Sequence, residues 1–245
     1  MPPKLVEGKI ALITGANKGI GLEIARQLGA QEITVLIGAR DENRGREAAE
    51  KLQSEHIDAR FVQLDVTNQD TIDAAASHIE SEFGKLDILV NNAGIAIDDV
   101  PPSQLDIEVL RRTYEINFFG VFGVTKAMLP LLRKSDAGRI VNMSSGLGSL
   151  AQNTDPNYEY AEFKFLGYNS SKTAVNAMTL QFAHELKDTQ IKVNSADPGY
   201  VATDINNQGG SRTVQQGATA PVRLATLPAD GPTGGFFDEN GIVPW

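Results

Sequence analysis

Six short runs rich in Val, Ile and Leu recur along the chain, and none of them is polar on one side. They are Ile10 to Thr14, Ile33 to Ala39, Arg60 to Leu64, Leu86 to Val90, Arg139 to Met143 and Ile191 to Ser195. A strand that faces water on one side alternates apolar and polar residues; a strand buried on both faces does not. Between the runs lie longer stretches with apolar residues at helical spacing: Gly19 to Leu28, Asn43 to Ser54, Thr71 to Phe83, Leu105 to Arg133 and Tyr168 to Lys187. Strand and helix in regular alternation imply an α/β fold, a doubly wound parallel sheet with helices on both faces and right-handed crossovers. The stretch Leu105 to Arg133 is long for one helix, and a break is expected near Arg111 to Thr113. Gly234-Gly235-Phe236-Phe237 is a candidate closing strand. The 245 residues fit one large α/β domain and are short for two, so residues 1–245 read as a single domain.

Two segments interrupt the rhythm. Residues 146–167 form a mixed insert with a turn at Asp155-Pro156-Asn157 and the aromatics Tyr158, Tyr160, Phe163 and Phe165. These aromatics either line a substrate cleft or pack the insert onto the domain. Asn206 to Ser211 is polar and glycine-containing, the composition of a mobile loop.

The net charge of −9 argues against general nucleic-acid binding, which normally needs a basic face. The absence of cysteine removes disulfides, thiolate catalysis and cysteine-ligated metals. His56, His78 and His184 are scattered, so no metal site is expected. The start, Met1-Pro2-Pro3-Lys4, lacks the apolar core of a signal peptide. No apolar run approaches the length of a membrane span, and the expected location is cytoplasmic.

Two local patterns carry chemistry. The first strand runs into Thr14-Gly15-Ala16-Asn17-Lys18-Gly19-Ile20-Gly21 and then a helix. Glycines at 15, 19 and 21 allow a tight turn and close backbone approach to a ligand. The helix N-terminus adds free N–H groups and a positive dipole end, which together suit a pyrophosphate. Packing alone could also demand such a turn. Downstream, Tyr168 and Lys172 are four residues apart in a helical stretch, which puts a phenol and an ammonium on one face. A cation close to a phenol favours its ionised form and brings it toward acid/base work. Taken alone, that spacing is an ordinary helix face. The second strand ends Gly38-Ala39-Arg40. A carboxylate there would suit the ribose hydroxyl of NAD, whereas an arginine suits the 2′-phosphate of NADP. Arg40 either serves that phosphate, with Lys18 as a second positive charge, or pairs with Asp41 or Glu42.

The glycine spacing resembles the T-G-x-x-x-G-x-G of the short-chain dehydrogenase/reductase family, which has a Rossmann fold. Further motifs follow in the family's order: Asn91-Asn92-Ala93-Gly94, Asn117, Ser144-Ser145, Tyr168 with Lys172, and Pro198-Gly199. The resemblance spans nearly the whole chain. It implies NADP(H) as cofactor and hydride transfer between the nicotinamide and a carbonyl carbon. Tyr168 would be the proton donor, and Lys172 would lower its pKa and hold the nicotinamide ribose. Ser145 would bind the substrate oxygen, with Ser144 the alternative. Asn117 would hold a water linking Lys172 to solvent. Cofactor contacts are implied for Gly15, Asn17, Lys18, Gly19, Ile20 and Gly21 in the loop and for Arg40 beside it. Asp65 and Val66 would meet the adenine, although an aspartate there could instead cap a helix, a task for which Thr67 and Asn68 are better placed. Asn92, Ala93 and Gly94 follow the fourth strand. Pro198 and Gly199 follow the sixth strand as further cofactor contacts, and the Val201 main chain would bind the carboxamide with Thr203 assisting.

Ala39-Arg40-Asp41, the loop and the tail to Trp245 look like the carbonyl reductase branch, which carries an insert before its catalytic tyrosine. The short segment after Thr203 implies an open cleft and varied small-molecule ketones or aldehydes. A dehydrogenase for a specific secondary alcohol or a sterol-like hydroxyl is the alternative, and a non-catalytic NADP-binding regulator a further one. A Ser-His-Asp hydrolase lacks both the G-x-S-x-G elbow and a suitably placed histidine. The insert covers the helix face that many relatives use to form tetramers, so monomer or dimer is expected.

Overall fold

A computed structural model describes residues 8–245; Met1-Pro2-Pro3-Lys4, read above for a signal peptide, lies outside the described residues. The two-sided apolar runs form strands β1 (Ile10–Thr14), β2 (Thr34–Ala39), β3 (Ala59–Gln63), β4 (Ile88–Asn91), β5 (Arg139–Met143) and β6 (Lys192–Ala196). Phe236–Phe237 adds β7 at one edge. The order is β3-β2-β1-β4-β5-β6-β7, and every pairing is parallel. The expected doubly wound sheet is therefore present, with its order reversing between β1 and β4. Ligands of such sheets bind outside the strand carboxyl ends at that reversal.

The helices are α1 (Gly19–Gly29), α2 (Glu42–Ser54), α3 (Gln69–Phe83), α4 (Ile107–Tyr114), α5 (Val121–Leu132), α6 (Leu150–Thr154), α7 (Leu166–Glu185), α8 (Val214–Gly217) and α9 (Thr219–Ala225). Two apolar clusters cover the two faces of the sheet. One gathers Leu12, Leu36, Leu89 and Ile140 under Phe83, Met128 and Val175; the other gathers Ile13, Ile37, Val90 and Val141 under Ile24, Leu28 and Leu52. Alternate residues of one strand thus point to opposite clusters, which is why none of these strands has a polar side.

No break occurs at Arg111 to Thr113. Instead α4 continues into a π-helical stretch, Glu115–Gly120, and then into α5. A π segment absorbs one extra residue without ending the helix, and such bulges concentrate at functional sites. The continuous helix Ile107–Leu132 is also long and apolar enough to cross a membrane, by length and composition only, contrary to the length expectation above. Here it packs against the core and carries buried Val124, Met128, Leu131 and Leu132. Asn206 to Ser211 is tied down rather than loose: Asn206 Nδ2 donates to Val201 O (2.8 Å), and Val201 bridges to Arg212.

A buried polar ladder joins the strand ends to α7. Asn91 Nδ2 donates to Asn142 Oδ1 (2.8 Å), Asn142 Nδ2 donates to Thr179 Oγ1 (2.9 Å), and Ser195 Oγ donates to the same Thr179 oxygen (2.9 Å). Asn91, Asn142 and Ser195 are register partners on β4, β5 and β6. Their bonds are shielded from water, so a slip of α7 along the sheet would strand several polar groups at once. The helix carrying Tyr168 and Lys172 is locked in register by these contacts.

Candidate active site

The glycine turn after β1 takes the backbone shape that its glycines permit. Gly15 and Gly19 have φ of +63° and +58°, in the left-handed region. A Cβ on Gly21 would fall 2.4 Å from Asn92 Nδ2, so the loop and the segment after β4 approach too closely for a side chain. Thr14 Oγ1 accepts from the backbone N–H groups of Asn92 (2.9 Å) and Ala93 (3.0 Å), while Asn92 Nδ2 donates back to Thr14 O (2.8 Å). Beyond this clamp α1 starts with no side-chain cap and no acid in its first turn. Its leading N–H groups remain donors for an anion.

The neighbouring charges resolve the two readings of Arg40. Asp41 caps α2 by accepting from Arg44 N (2.9 Å), and Glu42 pairs with Arg46 (2.7 Å). Arg40 itself is exposed at the cleft, and among the described residues it has no carboxylate partner. Lys18 differs from expectation: its Nζ forms an exposed ion pair with Asp204 (2.5 Å), beside Thr203, instead of standing free with Arg40. Asn68 caps α3 by accepting from Asp70 N (3.0 Å), as its position suggested. Asp65 accepts from the N–H and hydroxyl of Thr67 (2.9 and 2.8 Å), so its carboxylate also shapes the local turn.

The glycine turn, Lys18, Arg40, Asp65 and Asn92 line one continuous cleft of about 1590 Å³ that runs on to Ser145, Tyr168 and Lys172. Clefts for a single small ligand run to roughly 1,000 Å³, so this one has room for a dinucleotide and a second molecule. Every candidate cofactor residue named above borders it. The close-approach glycines, the uncapped helix N-terminus and the unpaired Arg40 form a donor set that fits NADP(H).

At the far end the helix spacing does what was expected of it. Tyr168 is half-buried, Lys172 is buried, and Lys172 Nζ lies 5.6 Å from the Tyr168 ring centroid. The ammonium donates to Met143 O (2.8 Å) at the end of β5. Burial lowers its pKa to about 8. The tyrosine does not behave as predicted. Burial pushes its phenol up to about 12; a hydrogen bond with Ser145 works against that, and the Asp197 charge adds to it. The cost of burying a phenolate thus exceeds what this chain's own groups return. Both serines border the cleft; Ser145 is the one whose hydroxyl acts on the phenol, and its Oγ also accepts from Leu147 N (3.2 Å). Ser144 is buried, and its hydroxyl points to Lys172 O (3.4 Å).

Asn117 is not on the cleft wall. It is fully buried in the π segment, and its side-chain amide is already engaged. Oδ1 accepts from Ile95 N (2.8 Å); Nδ2 donates to Ile95 O (2.8 Å) and to Ser171 Oγ (3.0 Å). The side chain therefore ties the segment after β4 to α7.

Two acids here were missed in the sequence. Asp98 is buried, and it accepts from Gly167 N (2.7 Å) and Tyr168 N (3.2 Å). The residue at the helix boundary, Phe165, supplies no cap, so a carboxylate 70 positions before Tyr168 does so instead. Charge-assisted bonds at a helix N-terminus are among the stronger kind. Asp98→Ala strands two N–H groups in a dry site; a loss of ~2 kcal/mol corresponds to a fall of roughly 4–8 °C in Tm. Differential scanning calorimetry checks this, and Asp98→Asn, which keeps one acceptor oxygen, should lose less. The second acid, Asp197, follows β6 and is half-buried in the cleft floor. No local motif marks either acid, because their partners come from other parts of the chain.

Comparison with known proteins agrees with this geometry. A family model described as short chain dehydrogenase matches residues 9–213. Salutaridine reductase of Papaver bracteatum is 36% identical over 301 aligned positions, covering 97% of this chain and 96% of its own. Carbonyl reductase [NADPH] 1 of Rattus norvegicus is 34% identical, with 96% and 98% covered. The crystal structure of NADPH-bound carbonyl reductase from chicken fatty liver superposes with a TM-score of 0.85 at 27% identity, over 98% of this chain and 100% of that one. With sheet order, motif order and whole-length similarity in agreement, the chain belongs to the short-chain dehydrogenase family of oxidoreductases.

Proposed function

We propose that this chain is an NADPH-dependent carbonyl reductase that converts ketones or aldehydes to alcohols, with Tyr168 as the proton donor. The observation that carries the reading is one cleft that joins the glycine turn and an unpaired Arg40 to Ser145, Tyr168 and the buried Lys172. When bound, the reduced nicotinamide supplies a hydride to the carbonyl carbon. The protein's part is to place the substrate oxygen and protonate it. Ser145 and the phenol are two donors suited to the same oxygen, and both strengthen as negative charge grows there. Tyr168 gives up its proton as the alcohol forms. The Lys172 ammonium stabilises the tyrosinate that remains. Asn117 and Asp98 act through α7 by holding the segment after β4 against it. A phenol with its pKa at about 12 is almost wholly protonated at neutral pH, which favours the reducing direction.

The test is NADPH consumption against a panel of ketones and aldehydes, read beside NADH consumption. Arg40→Asp replaces the one candidate phosphate ligand without a partner by a carboxylate suited to a ribose hydroxyl. It should cut the NADPH/NADH preference by about 10²-fold, the magnitude of two charge-assisted bonds. An unchanged ratio would remove Arg40 from the cofactor site.

A further inference from the structure

The floor and outer wall of the cleft, beyond Ser145, have a chemistry that general ketone reduction does not require. Tyr158 and Tyr160 of the insert stack edge to face at 5.6 Å. Tyr160 meets Tyr200, from the loop after β6, at 5.6 Å, and Phe163 meets Tyr200 at 6.1 Å. The insert and the β6 loop therefore share one aromatic surface, and all four rings border the cleft. At its base lies the Asp197 carboxylate. Oδ1 accepts from Gly199 N (2.9 Å), an ordinary turn contact. Oδ2 faces Gly146, whose backbone N–H also favours the charged carboxylate, and an added Cβ there would lie 3.0 Å from Oδ2 and 2.2 Å from the Tyr158 hydroxyl.

Among the described residues Asp197 forms no ion pair with a base. Arg212, whose charge reaches it, is already held by Glu239 on two nitrogens. Among the other bases on the cleft wall, Lys172 is bonded to Met143 O, Lys18 to Asp204, and Arg111 to Glu108, while Arg40 and Arg112 form no ion pair with Asp197 among the described residues. A carboxylate withdrawn from water is stabilised only by a cation or by several donors. Electron-rich ring faces also attract cations, most strongly where water is excluded. Both features select the same ligand sign.

We infer that the cleft takes carbonyl substrates bearing a cationic nitrogen, which lies against the Tyr158–Tyr160–Tyr200 surface with Asp197 as its counter-charge. The inference rests on the reductase reading and specifies its substrate class. Bound in this way, an ammonium would be recognised by an ionic contact and by ring faces together, while the ketone remains at Ser145 and Tyr168.

Two ketones of the same shape separate charge from fit: 4,4-dimethylcyclohexanone and 1,1-dimethyl-4-oxopiperidinium, in which a quaternary nitrogen replaces one carbon. The wild-type protein should favour the cation by at least about tenfold in kcat/KM, the scale of a desolvated cation–π contact with its counter-charge. Asp197→Asn keeps the turn contact and removes the charge, and should bring the ratio of the two substrates to about one. Tyr160→Leu should reduce the same ratio severalfold. A wild-type ratio of one or less, or a ratio unmoved by Asp197→Asn, overturns the inference. If neither ketone consumes NADPH, the reductase reading is what fails. The cation site is then judged by calorimetric titration of the NADP⁺-loaded protein with 1,1-dimethyl-4-oxopiperidinium: binding weakened about tenfold by Asp197→Asn supports it, and unchanged or absent binding refutes it.

Discussion

Tyr168→Phe is expected to lower kcat/KM for ketone reduction by ~10³-fold, within the range that a positioned general acid supplies, while NADPH affinity stays within about twofold of wild type. The separation follows from where each bond is made. Asp98 caps α7 through the backbone N–H of residue 168, which phenylalanine keeps. Lys172 is anchored on Met143 O and not on the phenol. Phenylalanine fills the same volume, so the cleft wall stays intact and only the donor is lost. Initial rates with a ketone, together with a fluorescence titration of NADPH, check both halves. Ketone turnover within a few-fold of wild type would remove Tyr168 as the proton source. A parallel loss of nucleotide binding would point to collapse of the cleft instead.

The expected lowering of the tyrosine pKa and the observed rise lead to different views of the proton transfer. A phenol already near ionisation at rest would be a ready base for alcohol oxidation. The phenol here is kept neutral by burial and by the Asp197 charge, which together outweigh the groups that favour its ionised form. It is therefore a donor waiting for an acceptor. An alkoxide developing at the substrate oxygen is a far stronger base than water, so a pKa of about 12 is no obstacle to giving the proton away. Asp197 contributes twice in this arrangement: it favours the neutral phenol and, under the inference above, provides the counter-charge for a cationic substrate.

What could be read from the sequence was what depends on local spacing. Two-sided apolar runs can be satisfied only by strands buried on both faces, and β1 to β6 follow them to within about two residues, as expected for element boundaries. The glycine turn was legible because left-handed φ at Gly15 and Gly19 is a demand that few other residues meet. The pairing of Tyr168 with Lys172 was legible because four residues is one helical turn. The rest depends on contacts between distant segments. The extra residue absorbed at Glu115–Gly120 leaves no mark in a helical pattern, and it buries Asn117 where the motif had suggested a cleft residue. Asp98 looks like any loop acid until α7 is laid against it. Lys18 looked free because Asp204, its partner, is 186 residues away. The insert aromatics were balanced between packing and lining; they do both, because Tyr200 completes their surface from another loop.

Lys172→Met should cost ~10²-fold in kcat, the low end of the range for proton-transfer groups, and should also change two pH profiles. Because burial brings the ammonium to about 8, its charge is present below that pH and is lost as pH rises through it. Tyr168 does not titrate in this window, since its phenol holds its proton to about 12. The wild-type reduction rate should therefore fall above pH 8, and the fall should be missing in Lys172→Met. Stability gives a second reading of the same proton. The unfolded chain keeps the lysine charged up to the ordinary 10.5, whereas the folded chain releases the proton at about 8. Between those values the unfolded state binds more protons, so this group makes wild-type stability rise with pH. Methionine removes the buried charge and its desolvation cost, and leaves Met143 O without a donor, a loss of about 1 kcal/mol. These opposing terms predict a variant that folds at neutral pH with Tm near wild type and with a flatter stability profile between pH 8 and 10.5. Rate profiles and calorimetry across that range check both. An alkaline fall that survives in Lys172→Met would assign it to a different group.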